Sequence, residues 1–443
     1  MRTFSSLRYR DFRLLWLGQG GTSMGQWMDQ VARGWLIYQL TGSPLQLGAV
    51  SATRAVPILL FGVVAGVVAD RYARKAQLII SQTTNIVLNL VLATLVLTGQ
   101  IQPWHVYVTA LLAGTVQAFQ QPARQSLISD LVGREHLANA VALNSAIVNL
   151  MRSVGPALAG ALIALVGVDG SYYAQAALYV WATVWTIQMH VPGEPSLAEL
   201  LGLRGGKTSL RARWAVRSGE PASPVSGEQK PNAKSRRAQQ PNESFFASMA
   251  EGFRYLATKR LILSLMLLGL APVFLGMPYT SLMPIFALDV LRVGPVGQGL
   301  LLTCTGLGAL VGALGIASLG NFRHKGMLLL GGATMFGASL VAFSRSTWMP
   351  LSMVLLFCAG LSNASYTSQD QTIIQTLAPA GMRGRVLGIY MLNRGLMPLG
   401  ALLAGALADW LGGPWAVTLM GASCTVVALT IALKTPEIRD LDI

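Results

Sequence analysis

About twelve apolar runs of about 20 residues recur along this chain, and that recurrence limits its fold more than any other feature. A helix rising about 1.5 Å per residue crosses the ~30 Å hydrocarbon core of a bilayer in about 20 residues. In lipid, only a helix or a closed barrel satisfies its own backbone groups, so the runs predict an all-α integral membrane protein. The first six runs lie near 12–40, 44–69, 76–99, 104–122, 137–167 and 171–190, and the second six near 261–288, 298–319, 326–343, 348–368, 385–411 and 413–433. Only 12% of the residues are charged and the mean hydropathy is +0.51, against about 25% charged in soluble domains. The net charge of +15 is not a nucleic-acid signature, because Lys and Arg fall in short clusters between the apolar runs.

Those clusters orient the chain. Arg8, Arg10 and Arg13, then Arg71, Arg74 and Lys75, Arg124 and Arg134, Arg323 and Lys325, Arg383 and Arg385, and Lys434 and Arg439 occupy one set of connections. The alternate loops (TGSP, QIQPW, VGVDGSYY, SRSTW, LGGP) carry almost none. The positive-inside bias places both termini in the cytoplasm, as expected of a multi-pass protein of the inner membrane. MRTFSSLRYRDFR is basic like a leader, but the run after it is longer than a signal-peptide core and reads as a retained first span. Cys304, Cys358 and Cys424 stand alone, with no disulfide or zinc spacing.

Residues 191–244 break the pattern: GEPASPVSGEQKPNAKSRRAQQPNE predicts a disordered basic cytoplasmic linker. FFASMAEGFRYLATKRL, at 245–261, reads as an amphipathic helix on the membrane surface. The expected organisation is therefore a six-helix bundle at 1–190, the linker at 191–244, and the surface helix plus a second bundle at 245–443. The halves resemble each other. QLTGSPLQLGAVSA lies on VLRVGPVGQGLLLT, ADRYARKA on LGNFRHKG, and GPALAGALIALVG on GALLAGALADWLG, at offsets of 251, 250 and 245 residues. Two six-helix repeats predict a transporter with substrate bound near mid-membrane between them.

GVVADRYARK, Gly66 to Lys75, resembles the loop signature of the major facilitator superfamily, G-x-L-A-D-R-x-G-R-K, with Val68 and Ala73 as departures. QQPARQSLISDLVGREHLANAVALNSA followed by RSVGPALAGALI is similar to the subgroup of siderophore exporters and macrolide-type drug exporters. The resemblance covers nearly the whole chain apart from the linker. It implies two pseudo-symmetric halves and alternating access, with Gly66 admitting a close helix neighbour and Asp70 latching the halves against Arg383 and Arg385. Arg71, Arg74 and Lys75 would either share that latch or only set topology. Many proton-driven relatives carry an Arg in span four within R-x-x-x-G, whereas here Ala110 stands four residues before Gly114. GPALAG, with Gly155, Pro156 and Gly160, reads as a bend and close-packing motif in span five.

Charges at membrane depth cost several kcal/mol unless paired or hydrated, so each is a functional candidate. Asp29, Arg33, Arg54, Arg152 and Arg394 are those identified. Gly18, Thr22, Gln26, Asp29 and Arg33 form one polar or small helical stripe that should face protein or a cavity. Asp29 lies 13 residues before the turn near Gly42 and Arg54 lies 12 after it, so the two sit at matched depth and can pair. Either Asp29 binds and releases a proton as its pairing changes, or the pair pins two helices. Arg33 reads as an outer-end anchor that can compete for Asp29. Four Arg against one Asp would make a cavity electropositive, suited to an anionic or phenolate-bearing solute. Gln117, Asn144, Asn149 and Asn393, with Trp27, Met391 and Tyr390, are further cavity candidates. No nucleotide-binding or metallohydrolase motif occurs, and His105, His136, His190 and His324 are scattered, so an enzyme, a cofactor and a metal are not expected. The chain reads as a monomeric secondary exporter of a siderophore or drug-like molecule, coupled to protons; uptake, or a membrane sensor using the basic linker, are the alternatives.

Overall fold

The computed structural model describes residues 4–133, 135–191, 254, 260–319, 325–377, 386, 389–390 and 395–439, with Val63, Asp70 and Leu319 described for backbone alone. The linker and nearly all of the predicted surface helix lie outside these residues. The chain forms helices α1 (Arg10–Thr41), α2 (Pro44–Arg71), α3 (Arg74–Leu97), α4 (Pro103–Leu131) and α5 (Leu137–Gln188). The second half holds α6 (Arg260–Val290), α7 (Gly294–Leu319), α8 (Lys325–Arg345), α9 (Met349–Leu377), α10 (Met397–Leu411) and α11 (Gly413–Lys434). No strand occurs among the described residues. Of these elements, α2, α3, α5 to α9 and α11 contain stretches long and apolar enough to cross a membrane.

Two departures from regular helix shape the fold. In α5 the helical geometry fails at Gly167 (φ 82°, ψ 175°), a conformation that only glycine adopts without strain. Along α1, Gly20 meets Ile147 and Gly155 meets Trp27, with numbering rising together, whereas Gly18 meets Ala182 and Gly25 meets Tyr179. The arms of α5 on either side of Gly167 are therefore antiparallel. In α6, Pro272, Pro278 and Pro284 each remove an intrahelical hydrogen bond. Wide five-residue turns at Pro272–Gly276 and Phe286–Val290 flank a tight turn at Met277–Leu282.

Both α4 and α9 are 29 residues long and run nine residues beyond the apolar segments at 104–122 and 348–368. Pro122 lies inside the first of these helices; proline is tolerated in membrane helices where neighbours re-satisfy the backbone. Arg124, expected in a basic loop, is therefore inside α4; it is 3% exposed and donates from Nη2 to Thr22 Oγ1 at 3.2 Å.

The halves meet at the end of the molecule that carries the turns at Gly42, Gly167 and Gly412. A Cβ on Gly160 would lie 2.4 Å from Pro295 O, and one on Gly299 would lie 2.4 Å from Pro156 O, so backbone packs directly on backbone. GPALAG thus gives close packing, but Pro156 and Gly160 pack against α7 in the other half while Gly155 packs against α1. Polar ties join the same interface: Tyr38 donates to Asp289, Ser43 Oγ to Asp409 at 3.1 Å, and Ser51 Oγ to Ser281 Oγ at 3.1 Å.

Candidate functional site

The depth match between Asp29 and Arg54 is met by contact. Arg54 Nη1 donates to Asp29 Oδ2 at 2.5 Å, and its Nη2 donates to Gln117 Oε1 at 3.2 Å. Arg33 is not an outer-end anchor. It is 5% exposed and grips the same carboxylate, with Nε to Oδ2 at 3.2 Å and Nη2 to Oδ1 at 2.9 Å. The (i, i+4) spacing places Arg33 above Asp29 on one face of α1, and the planar guanidinium matches both oxygens. Its Nη1 crosses to α4, donating to Thr109 Oγ1 at 2.8 Å and Val106 O at 3.1 Å. That contact ends one residue from Ala110, so α1 supplies a cation beside that position of α4. One carboxylate and two guanidiniums leave a net charge of +1.

This cluster edges a cavity of about 390 Å³ between the halves, within the usual range for small-molecule sites. The first half contributes Gln26, Gln30, Arg33, Arg54, Gln117 and Gln121, and the second contributes Thr280, Ser281, Pro284, Gln298 and Met397. The proline-broken turn of α6 is what turns Thr280, Ser281 and Pro284 toward it; such interrupted helices mark binding sites in transporters. Gln30, Gln121, Gln298, Thr280 and Ser281 were not identified from sequence, although PVFLGMPYTSLMP carried that signal.

Of the other expected cavity residues, Trp27 lines it, whereas Asn144, Asn149 and Arg152 do not. Asn149 turns back to Ser145 O on its own helix at 2.9 Å. The Arg152 guanidinium lies 5.3 Å from the centre of the Trp27 ring, a cation–π contact that occupies it within its own half. Tyr390 is buried in the apolar core beside Gly269 rather than in the cavity. Met391, Asn393 and Arg394 lie outside the described residues.

The loop motif divides in the same way. A Cβ on Gly66 would meet nothing within 4 Å among the described residues, so Gly66 marks no close approach there. Arg74 pairs with Asp130 and donates to Ala69 O at 3.2 Å, and Arg71 is exposed. Lys75 is buried: its Nζ donates to Ile187 O at 2.8 Å and Met189 O at 2.6 Å, neutralising the carbonyl end of α5. The side chain of Asp70, with Arg383 and Arg385, lies outside the described residues. Replacing Lys75 by Met is expected to lower stability by about 3 kcal/mol, since two carbonyls lose a charged donor. The check is the unfolding temperature of the purified protein, with transport per folded molecule retained.

The sequence profile of the family described as transmembrane secretion effector matches residues 1–215 and 228–443. The staphyloferrin A transporter of Staphylococcus aureus is 25% identical over 414 residues, covering 92% of this chain and 91% of that protein. The multidrug efflux pump Tap of Mycobacterium tuberculosis is 28% identical over 433 residues, covering 95% and 92%. Macrolide efflux protein A of Streptococcus pyogenes is 24% identical over 438 residues, covering 98% and 97%. Among solved structures, a bacterial homolog of the human lysosomal transporter Spinster superposes with a TM-score of 0.69 at 14% identity, covering 98% of each chain, which shows a shared fold. A repeat-built helical membrane fold, an interfacial cavity and a profile match over nearly its whole length agree: the chain belongs to the transmembrane secretion effector family of the major facilitator superfamily, and is a membrane transporter rather than an enzyme.

Proposed function

We propose that this protein exports a small molecule across the inner membrane by alternating access, in exchange for protons. The observation that carries the reading is the cavity shared by both halves and edged by the Asp29–Arg33–Arg54 cluster. Its net positive charge and its glutamines favour an anionic, oxygen-rich solute of the siderophore type over a cationic drug. The names of the staphyloferrin A and macrolide relatives support both a chelator and a drug-like substrate. Twelve spans follow when the arms of α5 count separately and α1, α4 and the shorter α10 count as crossings. The termini and the 191–244 linker then face the cytoplasm, between bundles at 1–190 and 245–443, and the chain acts as a monomer without nucleic acid.

Asp29 and Arg54 form the coupling pair in this reading: their pairing changes between the inward-open and outward-open states, and loosening it frees the carboxylate to take a proton. Asp70, with Arg71, Arg74, Arg383 and Arg385, latches the cytoplasmic end. The test is transport by purified protein in proteoliposomes under an imposed pH gradient, with a catechol chelator and a macrolide as probes. Gradient-driven transport of the chelator is expected, and Arg54→Gln should raise the KM for the chelator about tenfold, the loss of one charge-assisted contact of about 1.4 kcal/mol, with the KM for the macrolide little changed, while the gradient-driven rate falls for both. Transport indifferent to the gradient would remove the antiport reading.

A further inference from the structure

Asp370 is an acid that the apolar-run reading left out, because it lies beyond the end of the predicted tenth span. It is 0% exposed, and of the described side chains only the Tyr390 hydroxyl stands beside it as a donor. None of the ion pairs among the described residues includes it. Its place is not arbitrary. Asp370 stands 21 residues after the start of α9, and Arg124 stands 21 residues after the start of α4, the repeat-related helix of equal length. Both positions bury an ionisable group without an opposite charge among the described residues. Asp370 has space made for it: a Cβ on Gly269 of α6 would come within 2.3 Å of its Oδ2 and 3.3 Å of the Tyr390 ring. The titratable groups around it are Tyr390, Tyr366 one turn earlier on α9, and Cys424 of α11 beyond Tyr366. None of them is a cation.

The two buried acids are therefore opposites. Asp29 accepts three charged N–H donors, which is the surrounding an ionised carboxylate needs. Asp370 faces no cation among the described residues and only the neutral hydroxyl of Tyr390 as a side-chain donor, and an ionised carboxylate in such a place costs several kcal/mol that the neutral acid avoids. We propose that Asp370 is a second proton-binding carboxyl of this transporter, holding the coupling proton in the state described here while Asp29 stays ionised. This rests on the antiport reading above. The step is a simple protonation: an O–H bond forms between the carboxylate and a proton taken from water, and breaks to return that proton to water when the site opens, with no electron transfer. Helix α6 is the mechanical link, since it carries Gly269 against Asp370 and, beyond its proline breaks, Thr280 and Ser281 in the cavity. Rearranging α6 around substrate moves the wall of the acid's pocket.

The test is infrared difference spectroscopy of the full-length chain in lipid nanodiscs, between acid and alkaline pH, read at the carbonyl stretch of a protonated carboxylic acid. The wild type is expected to show that band, Asp370→Asn to lose it, and Asp29→Asn to keep it. Gly269→Ala, which presses on the carboxyl without removing it, should shift the band, and it reads the same group if Asp370→Asn does not fold. A band unchanged in Asp370→Asn and unmoved in Gly269→Ala, or absent from the wild type, overturns the proposal. In proteoliposomes with erythromycin as probe, Asp370→Asn is expected to lose gradient-driven accumulation by at least about tenfold while exchange of labelled for unlabelled probe continues. Wild-type transport indifferent to the gradient, with the band present, overturns the coupling role together with the antiport reading. Gradient-driven wild-type transport that survives in Asp370→Asn overturns Asp370 alone.

Discussion

Asp29→Asn is expected to abolish gradient-driven efflux while leaving a folded protein in the membrane. The carboxylate accepts three bonds from two guanidiniums, and an amide oxygen accepts fewer, without charge. The cluster then carries about two positive charges instead of one, at a depth where water screens them poorly. Removing one partner of a buried ion pair costs about 3–5 kcal/mol, because the charge left behind stays desolvated. The lower end applies here. Arg33 keeps Val106 O and Thr109 Oγ1, Arg54 keeps Gln117, and the Arg54 side chain is 21% exposed. Uptake of erythromycin into inside-out vesicles, compared with the unfolding temperature, separates the effects: transport falls to background and the unfolding temperature drops modestly. Wild-type uptake in the variant would reduce the cluster to a helix pin.

Gly160→Trp is expected to hold the halves apart where they now touch. The Cβ alone would stand 2.4 Å from Pro295 O, far inside contact distance, and an indole cannot be placed without separating α5 from α7. The penalty falls only on the state closed at this end. A bias of about 5.5 kcal/mol converts a closed-to-open ratio of 99:1 into its inverse, and the polar ties of Tyr38, Ser43 and Ser51 are too few to resist it. The transporter stalls with the Gly42 end open, and transport falls by about two orders of magnitude. Thiol labelling of a cysteine at Ser51 checks it: protected in the wild-type closed state, it should become accessible from that side in the variant.

Long apolar runs made most of the helices legible, since lipid marks most spanning segments in their composition. Depth counting from Gly42 made the Asp29–Arg54 contact legible too. What stayed hidden lay where the chain leaves the hydrocarbon yet remains helical and packed: the last nine residues of α4 and α9 read as polar ends, so Arg124 was placed in a loop and Asp370 was passed over. Arg33 was read as an anchor because residue spacing alone does not choose between solvent and an (i, i+4) partner. Tyr390, Arg152 and Asn149 show the same limit, because a polar or aromatic side chain on a helix faces a cavity, a ring or its own backbone according to tertiary phase. The turn of α6 was the reverse case: three prolines in PVFLGMPYTSLMP carried the signal for a cavity wall.

In alternating access, the cavity between the halves opens to each side of the membrane in turn. Gln121 lines that cavity, is exposed within it and lies apart from the Asp29–Arg33–Arg54 hydrogen bonds. A single cysteine at position 121, in a chain with Cys304, Cys358 and Cys424 replaced by Ser, reports access to a membrane-impermeant thiol reagent added on one side or the other. Labelling is expected from both sides in the otherwise wild-type chain, and from the side of the Gly42 turn alone when Gly160→Trp is added. Labelling from one side only in the wild-type background, under every gradient applied, would contradict it.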